Sequence, residues 1–357
     1  MKKKWITRPY RDGDEGGILS LFSSNSSEQS FRTIEWWQWR HKKNPAGDAI
    51  ISVAENKNEI IGHHCCVPVK VKFFSQSMIA MERGDALIKP GYRGQGIIGE
   101  LVSRNQSNAQ ERGWSFAMGL PKRSSYPVSI KSGALGVCEM PKLIRVLKPR
   151  QISRVVENDK GKLVKIATNM ISKTYQVRSF RRKKKVFEND LILTEEEVFG
   201  ESYDDFWERI SQHLKIAVIR SSDYLNWRYC HNPTRRYTVY AVRKNNRLLG
   251  FTVLGCYQEK YNIGRILEFL VLPDQLDAGE MLIEQANKLF AEKNMDMIQC
   301  IAQNPFLSKT LYRKYGYIKS PVRKMHFVVH PLASDLATYD LTAGKNWLIS
   351  FGELGTM

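Results

Sequence analysis

Cysteine is scarce: six residues, at positions 65, 66, 138, 230, 256 and 300 of 357, with no C-x-x-C pair among them. A disulfide framework is thereby excluded, and the thiols read as reduced. Long hydrophobic runs are missing too, so nothing approaches the ~20 apolar residues that a membrane-spanning helix needs. The basic start Met1-Lys2-Lys3-Lys4 is followed by Arg8, Arg11, Asp12 and Asp14 where a signal peptide would be apolar, which implies a cytoplasmic protein. Negative charge is the rarer sign. Lys and Arg number 55 against 36 Asp and Glu, a net +19, so the surface favours nucleic acid, acidic lipid or phosphate-bearing small molecules. With 42% hydrophobic and 25% charged residues, general disorder is excluded. At about 150 residues per domain the length suggests two domains. His63-His64-Cys65-Cys66 uses metal-binding residue types, but strand neighbours point to opposite faces and cannot converge on one ion, so no metal is expected.

What is present is an internal repeat. Glu35-Trp36-Trp37-Gln38-Trp39-Arg40-His41 leads to Asn44-Pro45, and Asp223-Tyr224-Leu225-Asn226-Trp227-Arg228-Tyr229 leads to Asn232-Pro233, an offset of 188. The offset continues from Asn56-Lys57-Asn58-Glu59-Ile60-Ile61-Gly62 to Lys244-Asn245-Asn246-Arg247-Leu248-Leu249-Gly250. Further on, Pro90, Lys131 and Gly133 match Pro273, Lys314 and Gly316 at 183, as if one hairpin were five residues shorter. Two copies of one mixed α/β unit account for this. The expected division is 1–146, a partly folded connector 147–215, a second copy 216–332 and a tail 333–357. The connector carries the basic run Arg181 to Lys185 and the acidic run Glu195 to Glu197.

Within the first copy, periodicity predicts a strand over 5–9, a helix opening at Asp12 or Asp14, and the Trp-rich helix 34–42. Strands near 50–55, 60–74 and 79–88 follow, then a helix over 96–112. A strand over 114–119, a short helix over 124–132 and a closing strand pair to about 148 complete it. The fourth strand runs into Ala86-Leu87-Ile88-Lys89-Pro90-Gly91-Tyr92-Arg93-Gly94-Gln95-Gly96-Ile97-Ile98-Gly99, just before a helix. Glycines at such a turn let backbone N–H groups crowd a phosphate, while the helix N-terminus and Arg93 add positive charge. This is a pyrophosphate site in physical terms. Its place after several strands argues against a dinucleotide fingerprint.

The segment resembles the acetyl-CoA loop of the GNAT superfamily of N-acyltransferases, Q/R-x-x-G-x-G/A, through Arg93 and Gly96 with Pro90-Gly91-Tyr92 before them. Ile98 departs, standing where the family has Gly or Ala. Ile6 to Asp14 resembles the family's opening strand and helix, and Leu311-Tyr312-Arg313-Lys314-Tyr315-Gly316-Tyr317 resembles its closing Tyr-x-Lys-x-Gly motif in the second copy. The whole is similar to tandem GNAT proteins, among them enzymes that acylate amino sugars in bacterial surface-polysaccharide pathways. The resemblance implies two GNAT-like domains, each a mostly antiparallel sheet flanked by helices. It also implies acetyl-CoA or another acyl-CoA as cosubstrate, held by Leu87, Ile88, Arg93, Gly94, Gln95, Gly96, Ile97, Ile98 and Gly99. The resemblance further implies a carboxylate on the fourth strand as general base, with Glu82 and Asp85 as the candidates. On a regular strand these two face opposite ways unless a bulge intervenes, and an ordinary ion pair to Arg83 or Lys89 is the plain reading of either. Ser129 stands where the family places its acidic Tyr, so Tyr126 or a water is the alternative acid. Trp39-Arg40 and Trp227-Arg228 read as helix packing, with each Arg on backbone carbonyls.

The acceptor implied is a small-molecule amine, such as an anionic sugar nucleotide. Two other readings compete: a Fem-type aminoacyl-tRNA-dependent transferase, in which the run 181–185 would touch nucleic acid, and a non-catalytic acyl-CoA sensor. Only the first copy is expected to bind CoA. At the 183 offset Arg93 becomes Leu276, Gly94 becomes Asp277 and Ile97 becomes Glu280, two anions where a pyrophosphate would lie.

Overall fold

The computed structural model describes residues 4–24, 32–121, 123, 125–149, 190–302, 309–320 and 325–353. The basic run 181–185 and most of the expected connector lie outside these residues. Two mixed, mostly antiparallel sheets flanked by helices make up the fold. The first is built from β1 (Ile6–Pro9), β2 (Ile50–Asn56), β3 (Glu59–Phe73), β4 (Gln76–Ile88), β5 (Phe116–Gly119) and β6 (Leu135–Glu139). The second uses β7 (Lys142–Val146), β8 (Leu191–Glu196), β10 (Tyr237–Lys244), β11 (Arg247–Gln258), β12 (Asn262–Val271), β13 (Met297–Ile301) and β14 (Ile318–Lys319). The strand pair β9 (Ile216–Val218) and β16 (Trp347–Leu348) joins the first sheet alongside β3.

The strand orders match. The first sheet runs β1-β2-β3-β4-β5-β15-β6, where β15 is His326–Pro331, and the second runs β8-β10-β11-β12-β13-β7-β14. In each order the sixth strand comes from the other half of the chain. Thus β7 pairs with β13 and β14, while β15 pairs with β5 and β6. The closing strand pair expected up to residue 148 is corrected accordingly: β6 stays and β7 crosses over. Residues 191–211, expected in the connector, form the edge strand β8 and a helix of the second sheet's unit.

Local chemistry explains the repeat. Lys57-Asn58 and Asn245-Asn246 all have positive φ, the backbone of a tight two-residue hairpin whose twist suits the strands on either side. Helix α2 (Ile34–His41) is capped by Thr33, which accepts from Trp36 N, and α6 (Ser222–Leu225) by Ser221, which accepts from Tyr224 N. Asn44 and Asn232 each accept from the backbone N–H two residues on, at 2.8 and 3.0 Å, which turns the chain at Asn-Pro. The remaining helices of the first half are α1 (Glu15–Ser23), α3 (Ile97–Glu111) and α4 (Tyr126–Lys131). In the second half they are α5 (Glu201–Ser211), α7 (Leu276–Glu292) and α8 (Lys309–Lys314). Helix α3 turns Ile97, Leu101, Asn105 and Ala109 to the sheet at helical spacing. The largest core mixes Trp36, Val67 and Phe116 with Tyr203, Trp227 and Phe251, so the two halves share one interior. Among the described residues no helix is long and apolar enough to cross a membrane.

Candidate active site

Pro90–Tyr92 makes one 3-10 turn after β4, and Gly94 and Gly96 then adopt φ of +77° and +80°. A Cβ at either glycine would meet nothing within 4 Å, so backbone conformation and not space requires glycine here. Gly96 caps α3, and Glu100 N is the first amide to bond back to it, at 3.3 Å. The amides of Ile97, Ile98 and Gly99 therefore belong to the helix's unsatisfied first turn, an anion cradle. Arg93 Nε donates to Ile88 O at 3.2 Å. Gln95 Oε1 accepts from Trp5 Nε1 at 3.2 Å. Ile97 is 1% exposed among Trp5, Ala54, Ile61 and Leu101, so its side chain anchors the helix, whereas Ile98 is 39% exposed.

Pairing between β4 and β5 is confined to Met81 with Ala117 and Glu82 with Met118. From Arg83 to Ile88, β4 keeps only its β3 neighbour, and the sheet opens on the other side. Lys89 N donates to Ile61 O on β3 at 2.8 Å. Because successive amides alternate in direction, Ile88 N–H faces the opening and Leu87 N–H faces β3. Of the two residues expected to hold a pantetheine arm, Ile88 alone presents its amide there.

Register slips between His63 and Cys65, giving β4 an extra residue, and Asp85 sits in that bulge at φ +50°. The bulge brings Asp85 and Glu82 to the same guanidinium. Arg40 Nε lies 3.4 Å from Asp85 Oδ2 and Arg40 Nη2 lies 3.7 Å from Glu82 Oε2, while Arg32 Nη2 bonds Asp85 Oδ1 at 2.8 Å. Neither carboxylate pairs with Arg83 or Lys89, the partners expected from sequence; Lys89 binds Glu59. Gly84 makes room, since a Cβ there would stand 3.0 Å from Arg40 Nη2. Burial raises the Glu82 pKa, opposed by the charges of Arg228 and Arg40 and assisted by those of Glu353 and Asp85. Glu82 Oε2 and all three Arg40 nitrogens make no hydrogen bond among the described residues. His41, Cys65 and Asp85 bring three potential metal-ligand atoms within 4.8 Å, but the two Asp85 oxygens already face arginines.

Tyr126 and Ser129 lie on α4. The Tyr126 ring stacks on His326 at 4.4 Å, and Ser129 Oγ donates to Ser125 O at 3.1 Å. No hydrogen bond or ion pair among the described residues joins either one to Glu82 or Asp85. The sequence reading placed Arg40 and Arg228 on backbone carbonyls and did not single out Arg32, Arg220, Glu268 or Glu353; in the structure Arg40 meets Glu82 and Asp85, Arg32 meets Asp85, and Arg220 meets Glu268 and Glu353. A signal existed for some of them. Arg32 and Arg220 are 188 apart like Arg40 and Arg228, and Asp85 and Glu268 are 183 apart.

Two mixed, mostly antiparallel sheets flanked by helices, the first of them open beside a glycine loop, match GNAT-like folds. Residues 7–134 match the model of the acetyltransferase (GNAT) domain. A GCN5-related N-acetyltransferase from Anabaena variabilis is similar at TM-score 0.62 and 10% identity, over 92% of this chain and 73% of that one. A probable N-acyltransferase from Enterococcus faecalis gives 0.61 and 11% over 92% and 73%. Saccharomyces cerevisiae N-myristoyltransferase with bound myristoyl-CoA gives 0.59 and 12% over 92% and 79%. At these identities the likeness is one of fold. No curated protein matches the chain in sequence.

Proposed function

We propose that the protein is an acyl-CoA-dependent N-acyltransferase with two GNAT-like units, of which the first holds the cosubstrate. The observation that carries this reading is the opening between β4 and β5, with the Gly94/Gly96 turn at one end and buried Glu82 at the other. Arg93 and the first amides of α3 hold the pyrophosphate, and Ile88 N–H holds the pantetheine arm. The acceptor's amine lone pair attacks the thioester carbon, the C–S bond breaks, and the amine proton passes to Glu82. Tyr126 or a water returns a proton to the departing thiolate. Gly136 leaves room for the Tyr126 hydroxyl, which would lie 2.9 Å from a Cβ at that position. Asp85, held by two arginines, serves to fix Arg40.

The second unit binds no acyl-CoA. Its opening, beyond the β12–β13 pairs Ile263–Met297 to Arg265–Gln299, is lined by Leu348 to Phe351 of the chain's own tail. Glu280, in the second turn of α7, is taken up by Lys314 and Tyr315. Net charge of +19 favours an anionic acceptor, such as an amino sugar carried on a nucleotide.

Thiol release from acetyl-CoA and longer acyl-CoAs, screened against amino-sugar nucleotides, polyamines and aminoglycosides, tests the reading. Glu82→Gln should then lower kcat/KM ~100-fold or more. Asp85→Asn should act mainly on stability, at about 3 kcal/mol, because it strands buried arginines. Acyl-CoA binding without thiol release to any amine would make the protein a sensor.

A further inference from the structure

Arg83 is the first residue of β4 beyond the last β4–β5 pair, Glu82 with Met118. It still pairs with Cys66 on β3, on the regular side of the bulge, so it points to the face opposite Glu82. That face lies under α3, because Met81 and Ala117 pack there with Ala109 and Trp114. His330 pairs with Ala117 and shares its face, and a Cβ at Gly133 would stand 3.3 Å from His330 Cε1. On α3, Gln110 Nε2 donates to Leu332 O, just past β15, at 3.1 Å, and Gln106 stands one turn earlier on the same flank. Arg83 Nε and Nη2, Gln106 Nε2 and His330 Nδ1 are all buried and make no hydrogen bond among the described residues. The His330 pKa is lowered first by burial and then by the charge of Arg83.

Open space adjoins the guanidinium. Where the β4–β5 pairing would continue, Arg83 comes beside Gly119, whose φ is not positive and where a Cβ would meet nothing within 4 Å. Neither backbone conformation nor packing requires glycine at that position. Nε and Nη2 together form the edge with which an arginine takes a carboxylate side-on. Arg8 turns that edge to Glu55, and Arg220 turns it to Glu268. In Arg83 the same edge is buried without a partner among the described residues, which is costly for a cation.

We propose that Arg83, with His330 and Gln106, binds a carboxylate at the far end of the acyl group, so that the cosubstrate is the CoA thioester of a dicarboxylic acid. This rests on the reading of the β4–β5 opening as the acyl-CoA site. With the pantetheine arm on Ile88 N–H and the amine on the Glu82 face, the thioester carbon lies at the fork and its acyl substituent extends to the opposite face, where Arg83 stands. The transfer is the one already described: the C–N bond forms, the C–S bond breaks, and the far carboxylate passes intact into the amide product.

Succinyl-CoA, acetyl-CoA and CoA, titrated calorimetrically into the full chain without an amine, test this with no turnover. Succinyl-CoA should bind about tenfold or more tighter than acetyl-CoA. Arg83→Met should bring succinyl-CoA down to the affinity of acetyl-CoA, and Arg83→Lys should keep part of the preference. Gly119→Val fills the open space and spares the guanidinium; it should also erase the preference, and it serves as the test if the Arg83 variants do not fold. Equal affinities for succinyl-CoA and acetyl-CoA in wild type would overturn the inference. So would an Arg83→Met protein that binds all three ligands weaker by one factor, since Arg83 would then hold the part they share. Binding of none of the three would sink the acyl-CoA reading and this inference with it. A preference for succinyl-CoA in a protein that acylates no amine would leave the carboxylate site standing and remove the assigned reaction.

Discussion

Trp39 Nε1 donates to Trp227 O at 2.7 Å and Trp227 Nε1 donates to Trp39 O at 2.9 Å, with the two rings stacked 5.2 Å apart at 23°. One pair of residues thereby satisfies two buried donors and two buried carbonyls across the join between the halves. Trp39→Phe should cost about 1–3 kcal/mol, since it removes one bond and strands the Trp227 carbonyl. Trp39→Phe with Trp227→Phe should depart from additivity by at least ~0.5 kcal/mol, as expected for residues in contact. Urea denaturation of the four proteins in the cycle measures this, and simple additivity would show that the pair does not act as a unit.

Much of this was legible in the sequence because it is local. The hairpins at Lys57-Asn58 and Asn245-Asn246, the turns at Asn44 and Asn232, and the glycine loop follow from what each residue's own backbone can do. The five-residue shortening is real: from the start of the third strand to the end of the fourth, the first sheet spans Glu59 to Ile88 and the second Arg247 to Val271. The β4 bulge was not legible, since a register slip is a relation between strands and leaves no mark on Glu82 or Asp85 themselves. Strand exchange was hidden for the same reason: Lys142–Val146 reads as a strand whichever sheet receives it. The arginines of the repeat were read as packing residues. That Arg40 instead meets both Glu82 and Asp85 depends on the β4 bulge.

Acyl-CoA should bind at one site per chain. Gly96→Asp puts a side chain at φ +80° and a negative charge beside the cradle, and Arg93→Ala removes its cation. Calorimetric titration with CoA should give a stoichiometry near one in wild type, at least tenfold weaker binding in Arg93→Ala and none in Gly96→Asp. Two equivalent sites would contradict the tail's occupation of the second opening.

The protein should lose stability on mild acidification. His64 is fully buried, and burial pushes its pKa down to about 3, with Asn105 Nδ2 2.8 Å from its Nδ1. In the unfolded chain the same ring titrates near 6.5. Between those values the unfolded chain takes up a proton that the folded one refuses. The contribution is whole above pH 6.5 and is lost as pH falls towards 3, by up to about 1.4 kcal/mol per pH unit. His41 and His63, also lowered by burial, act with the same sign. Urea midpoints at pH 7.5, 6 and 5 should fall in that order, with a slope about one proton smaller in His64→Gln. An identical slope in that variant would remove His64 from the account.

Residues 1–149 expressed alone should not fold to a working domain, although they contain the whole glycine loop and Glu82. In the intact chain β15 lies between β5 and β6, bonded to both, and without it those strands lose their only described link to each other. The fragment would also carry β7 without β13 and β14, and β3 without β9 along Val71 to Phe73. Exposed strand edges of this kind invite aggregation. Trp39, Val67 and Phe116 would lose the second half's share of their common core. Thermal unfolding of the fragment should therefore show no cooperative transition, and CoA should not bind. Co-expression with residues 190–357 should restore both by letting β7 and β15 exchange between the two pieces. A fragment that melts cooperatively by itself and binds CoA as the full chain does would show that the second half is dispensable to the first.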